Sequence, residues 1–161
     1  MKAIALTQPW ATLWVGGEKI NETRSWKTDY RGELAVLASK GFPGWAKELC
    51  DEEPFKSALW RLGFNRAEEL PRGQLVGAVL LNECLPIVRP DDAPSINLNG
   101  AILDSVGRRW TVPYPELAFG DFTPGRFAWR ATHPRGLAQP VPFKGRLGIF
   151  DVPDELLAAV A

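Results

Sequence analysis

Apolar residues recur along this chain in short runs broken by glycine and proline, and the runs follow two periods. Lys2 to Leu6 reads as a short first strand. Thr7-Gln8-Pro9-Trp10 then reads as a helix start, with Gln8 at or near the cap and Pro9 at the first helical position, where its missing N–H would be unpaired anyway. Trp10, Leu13 and Trp14 share one helical face, and Gly16-Gly17 end the helix because glycine accepts the left-handed conformation of a C-terminal cap. Glu33 to Ser39 reads as a mostly buried strand. Pro43 to Leu62 has helical spacing (Trp45, Ala46, Leu49, Cys50, then Phe55, Ala58, Leu59, Leu62), and Pro54 divides it into two short helices or a kinked one. Gln74 to Leu85 is the clearest strand, too apolar for a surface element. Arg89 to Pro115, rich in Pro, Asp, Asn and Gly, reads mostly as loop. Arg126 to Ala131 alternates as a strand with one wet face, Arg146 to Val152 is a last strand, and Pro153 to Val160 is a short terminal helix.

Short strands, glycine punctuation and few helices predict an α+β fold: a small β-barrel or curled sheet with helices packed on it. The strands do not alternate regularly with helices, which argues against a doubly wound parallel sheet. No repeat, low-complexity tract or linker divides the 161 residues, so a single domain spanning 1–161 is expected. The hydrophobic fraction of 45% and charged fraction of 24% suit a globular protein. No apolar run approaches the ~20 residues of a membrane helix, and the N-terminal apolar stretch meets Pro9 too soon for a secretory signal, so a cytoplasmic location is expected. Cys50 and Cys84 stand alone and read as buried free thiols.

Charge narrows the partners. Lys and Arg number 19 and Asp and Glu 19, so the chain lacks the basic excess of a protein gripping many duplex phosphates. The charge is unevenly spread, however. Arg108, Arg109, Arg126, Arg130, Arg135, Lys144 and Arg146 are opposed in their stretch by only Glu116 and Asp121, while acids gather at 51–53, 68–69 and 91–92. A local basic face is possible.

Missing chemistry narrows the field further. The sole histidine, His133, precedes Pro134 in a predicted loop, which disfavours His-based nucleophile systems. No paired cysteines, paired histidines, acidic metal loop or phosphate-cradling glycine loop is present, so no metal and no cofactor is expected.

Two segments remain. Gly17-Glu18-Lys19-Ile20-Asn21-Glu22-Thr23-Arg24-Ser25-Trp26 gathers cations, carboxylates and an aromatic ring within ten positions. In a tight turn Lys19 and Glu22 point the same way; in an extended chain Glu22, Arg24 and Trp26 share a face. Either geometry pairs a cation with a carboxylate, the arrangement that tunes proton-transfer groups. Glu can accept from a cytosine amino group, Arg can grip phosphate or stack on a base, and Trp offers a stacking face. By residue type alone, a surface salt-bridged hairpin is the slightly favoured reading. The second segment, Phe119 to Trp129, crowds aromatics and glycines around Asp121 and Arg126. Phe127 and Trp129 read as core, whereas Asp121 and Arg126 need partners if buried.

Gln8-Pro9-Trp10-Ala11, the Gly17-Glu18-Lys19-x-x-Glu22-Thr23-Arg24-Ser25-Trp26 run, Tyr30-Arg31-Gly32, Leu37-Ala38-Ser39-Lys40, Gly77-x-Val79-x-Leu81-x-x-Cys84 and Phe119-Gly120-Asp121-x-x-x-Gly125-Arg126-Phe127-Ala128-Trp129 strongly resemble the ASCH domain, a family of the PUA-like superfamily. Pro142-Phe143-Lys144-Gly145-x-x-Gly148 resembles its C-terminal strand, and the resemblance runs from about residue 1 to about residue 152. It implies a small PUA-like β-barrel with flanking α-helices. It also implies a cleft, where the Lys19 to Arg24 segment crosses the barrel, for RNA, single-stranded nucleic acid or a modified nucleoside. On this basis Trp10, Arg24, Ser25, Trp26, Lys40 and Arg126 are candidate ligand-binding residues, and Lys19, Glu22 and Asp121 candidate catalytic ones.

Some members of the family resemble amidohydrolases of N4-acetylcytidine that use a Lys and a Thr three residues later, and others are ribonucleases. Lys19 matches that Lys, but position 22 carries Glu, with Thr23 one place further on. Three functions follow, in order. The first is an RNA, single-stranded nucleic-acid or nucleotide binder. The second is a hydrolase of RNA or a modified nucleoside, with Lys19 as nucleophile or base, Glu22 or Asp121 handling the proton and Arg24 stabilising negative charge. The third is an adaptor binding a protein through surface aromatics.

Overall fold

The computed structural model describes residues 1–89, 102–105 and 108–160. Among them eight strands and three α-helices form, in the order β1 (Lys2–Leu6), α1 (Trp10–Val15), β2 (Asn21–Arg24), β3 (Gly32–Ala38), α2 (Gly44–Leu49), α3 (Phe55–Arg61), β4 (Gln74–Val88), β5 (Ile102–Ser105), β6 (Arg108–Thr111), β7 (Phe127–Pro142) and β8 (Ile149–Asp151). Short 3-10 turns occupy Ala67–Glu69, Glu116–Phe119 and Asp154–Val160. Six strands lie side by side in the order β2-β7-β4-β3-β1-β8 and curl into a half-barrel. Only the β1–β3 pair on this path is parallel; the others are antiparallel.

Period-two alternation sets the layers. In β3, Leu34, Val36 and Ala38 face α1 in a core with Ile4, Trp14, Val76 and Trp129, while Ala35 and Leu37 face the other way, toward Phe150 and Leu157. Both faces of β3 are therefore dry, as its unbroken apolar sequence requires. Helix α1 divides its side chains between two cores: Trp14 packs on the sheet, and Leu13 packs on α2 and α3 with Phe55, Leu59 and Phe119.

The β4–β7 ladder shifts register between Leu75 and Gly77, between Ala78 and Leu80, and between Leu81 and Glu83. Such irregularities bend paired strands and raise their twist. Gly77 sits where the two strands crowd. A Cβ there would lie 2.2 Å from the Arg135 carbonyl oxygen and 2.9 Å from Val15 Cβ.

The structure refines several expectations. Pro9 takes the N-cap position, and Gln8 caps from one residue earlier: its Oε1 accepts from Thr12 N at 3.1 Å while its Nε2 donates to Thr12 Oγ1 and to the Pro71 carbonyl. The region read as loop holds the β5–β6 hairpin, paired from Ile102↔Thr111 to Ser105↔Arg108; residues 90–101 lie outside the described set. β7 runs eleven residues past Ala131 to Pro142, so His133, expected in a loop, lies within a strand and is exposed, with φ of 50°. Cys50 and Cys84 are free and buried, and burial pushes the Cys50 thiol up to about 11. No helix among the described residues is long and apolar enough to cross a membrane.

Gly77→Val is expected to lower stability by about 1–3 kcal/mol, the range for overpacking a filled interior. A urea-melt midpoint unchanged from the parent would show that β4 and β7 can separate freely there.

Candidate functional site

The site begins with a chain reversal. Gly17, at φ of 80°, turns the chain after α1, and the amides of Glu18 and Lys19 both donate to the Leu13 carbonyl, at 3.0 and 3.1 Å. This closure directs Lys19 back beneath the helix. Its side chain is 1% exposed, its Nζ lies 5.3 Å from the Trp14 ring centroid, and it donates to Glu22 Oε2. A buried ammonium is stable only with a counter-charge in contact, and Glu22 supplies it. The second Glu22 oxygen faces Arg24 Nε at 3.2 Å. Arg24 in turn donates from a terminal guanidinium nitrogen to the Ala5 carbonyl at 2.9 Å. β8 pairs with β1 only over Lys2 to Ile4, so Arg24 meets β1 just past the end of that ladder and bridges the seam of the half-barrel.

A second buried carboxylate fixes the approach to β2. Glu116 accepts from the Ile20 amide at 3.0 Å, from the Asn21 amide at 2.7 Å and from Asn21 Nδ2 at 3.1 Å. The Trp14 indole donates to the Ile20 carbonyl at 3.1 Å. Beyond β2, Gly120 brings the next turn close: a Cβ there would lie 3.0 Å from Thr23 Cγ2, and the Asp121 amide donates to Thr23 Oγ1.

Two adjoining cavities, of about 400 and 180 Å3, share Trp10, Glu22 and Trp45. The larger continues past Phe119 to Asp121, and the smaller reaches Arg24 and Ala5. One wall is aromatic. Trp45 lies 5.7 Å from Trp10 at 47°, and Trp10 meets Phe55 edge-on at 6.0 Å. Trp45 is 61% exposed, an open ring face at the mouth. The cleft joins an aromatic wall to two carboxylates, Glu22 at its centre and Asp121 at its far end, the mixture of apolar surface and a few polar groups that a small-ligand pocket uses.

The structure brings together Trp10, Glu22, Arg24 and, at the far end, Asp121. Lys19 lies behind Glu22 and lines neither cavity. Asp121 is exposed; hydrogen bonds from Thr123, helped by Arg126, hold its carboxyl below the usual range. Arg126 is tied to that turn, donating to the Asp121 and Thr23 carbonyls at 3.1 and 3.4 Å. Trp26 is displaced from the cleft by its fit on the core: it packs edge-on against Trp129 at 4.6 Å, and its carbonyl accepts from the Trp129 indole. Ser25 is exposed and lines neither cavity, and Lys40 lines a neighbouring groove. Sequence reasoning missed Trp45 and Glu116. Trp45 shares helical spacing with true core residues. Glu116 gives one legible signal, a carboxylate between Pro115 and the apolar Leu117 and Phe119. Among the described residues no group of three or more His, Cys, Asp or Glu is placed to hold a metal ion.

The ASCH domain model matches residues 4–98, which include the Lys19 segment and Trp45 but not Glu116 or Asp121. The half-barrel with its helices is the α+β, PUA-like architecture of that family. Activating signal cointegrator 1 of Homo sapiens is 39% identical over 82 residues, 51% of this chain and 14% of that protein. The Mus musculus protein of the same name is 34% identical over the same extent. The matched stretch is thus a small part of both relatives.

Glu22→Leu is expected to lower stability by about 3 kcal/mol or more, because it strands the Lys19 ammonium. Adding Lys19→Met should restore most of that loss in a double-mutant cycle read by chemical unfolding. Additive losses would show that the two charges are not coupled.

Proposed function

The chain belongs to the ASCH domain family, and on that premise we propose that it binds a nucleotide of RNA or another single strand in the Trp10–Glu22–Trp45 cleft. One observation carries the reading: a carboxylate fixed by two cations lines a slot whose wall is tryptophan. An ionised carboxylate only accepts hydrogen bonds. It therefore suits bases that present amino or imino donors, while an indole face takes any base by stacking. Arg24, 26% exposed at the same cleft, offers charge to a phosphate or a base oxygen. Neutral net charge fits a short ligand better than a long duplex. The relatives' name, which describes a cointegrator of activating signals, is compatible with a nucleic-acid-related role.

The hydrolase reading would need the Lys19 amine at the substrate. Its burial and its pairing with Glu22 favour a structural ammonium and, with it, binding over turnover. A modified nucleoside remains a ligand that this cleft could take without cleaving it.

Tryptophan fluorescence titrated with short single strands at low salt should report binding at micromolar protein. Bases that carry an amino group should bind above oligo-U. Trp45→Ala should weaken the complex by roughly 5- to 150-fold, the equivalent of about 1–3 kcal/mol of stacking, while the free protein remains folded by circular dichroism. No saturable signal from any strand, or a Trp45→Ala affinity equal to the parent's, would sink the reading.

A further inference from the structure

A third cavity, of about 970 Å3, follows the rim where β1, β3 and β7 end and β4 begins. Lys40, Arg72, Lys144 and Arg146 line it, and no Asp or Glu does. All four cations are exposed, and none forms an ion pair among the described residues. Asp151, which feels the charge of Arg146, is bonded to Lys2 at 2.9 Å, and that bond chiefly holds its carboxyl below the usual range. A chain with as many acids as bases has thus kept acids off one rim.

The rim is rigid. The Ser39 amide donates to the Leu6 carbonyl at 2.8 Å, the Gly73 amide to Ala38 at 2.8 Å, and the Phe143 amide to Gly73 at 3.1 Å. Beside the cations stands Leu147, 99% exposed. A free phosphate ion makes no use of such a side chain, whereas the sugars and unstacked bases of a strand do. The groove and the cleft meet at one residue: Ala5 lines both, and its carbonyl accepts from Arg24 of the cleft.

We propose that this rim carries the phosphates of the strand whose base occupies the Glu22 cleft, with Leu147 packed on an adjoining nucleotide. The inference rests on the cleft reading and extends it from a single nucleotide to a run of several. Binding would then be electrostatic along the rim and aromatic at the cleft, the division of labour that single-strand grooves use.

The test titrates the full chain with a mononucleotide and with homopolymer strands of up to about eight nucleotides, at several salt concentrations. Affinity should rise with length, and the slope of log affinity against log salt should steepen by about 0.7 for each engaged cation. The Arg72→Gln/Lys144→Gln protein should show a slope shallower by about 1.4 and lose most of the length gain. Its mononucleotide affinity should remain that of the parent. A strand bound no tighter than the mononucleotide, or a length gain that survives the double substitution, overturns the proposal. So does adsorption to anionic phosphatidylserine vesicles that the substitutions abolish while strand binding is unaffected, since the rim would then face lipid. Loss of mononucleotide and strand binding alike removes the cleft reading too. That outcome is distinct from a bound mononucleotide without length dependence, which removes the rim alone.

Discussion

The buried ammonium of Lys19 organises this half of the molecule. A cation this far from water needs an anion in contact and further polar neighbours, and each requirement fixes a different element. Glu22 must face inward, which sets which edge residues of β2 point at α1. Trp14 must offer its ring and its indole N–H, which ties the helix to the same spot. Glu116 must hold the Ile20 and Asn21 amides so that β2 starts in register, and it comes from a turn 95 residues beyond Asn21. The Lys19 to Arg24 segment is therefore an assembly point for parts distant in sequence, not a surface hairpin.

Much of this was legible in the chain, for reasons that local chemistry explains. Gly17 and the Trp10, Leu13, Trp14 spacing gave the helix and its end, because a cap and an amphipathic face are decided within a few residues. Pro54 divides α2 from α3, as a residue without an amide donor should. The β5–β6 hairpin was not legible. Its strands are four residues each, and their pairing depends on β4, far away in sequence. The extent of β7 was missed for a related reason. Past Ala131 it carries His, Pro, Gly and Gln, and it stays extended only because β4 pairs with it through shifted registers. At the candidate site, residue types singled out Lys19, Glu22 and Arg24 and the family resemblance added Trp10, and the structure places these four close together. Residue types could not separate Trp26, which packs on Trp129 outside both cavities, from Trp45, which packs on Trp10 and lines both. That distinction is one of orientation, and sequence spacing leaves it degenerate.

Charge is where composition misleads most. A formal sum of zero conceals a sorted surface: inside, two carboxylates are held by Lys19, Arg24 and backbone amides; outside, one rim is lined by four cations and no carboxylate. The family match ends at residue 98, so Glu116, which fixes β2, and the Asp121 turn, which limits the cleft, lie outside the matched span. The shared portion supplies the aromatic wall and the ion pair. The remainder of the chain shapes the far end of the slot, from Ala118 to Asp121.

The contact between Arg24 and the Ala5 carbonyl gives the half-barrel an unusual mechanical character. Elsewhere neighbouring strands on the path are joined by backbone ladders, which open only by unzipping several bonds together. At this seam one guanidinium reaches across. That line borders the cleft, so the edge of the slot beside Ala5 is closed by a single side-chain bond while its other sides are held by ladders and buried carboxylates.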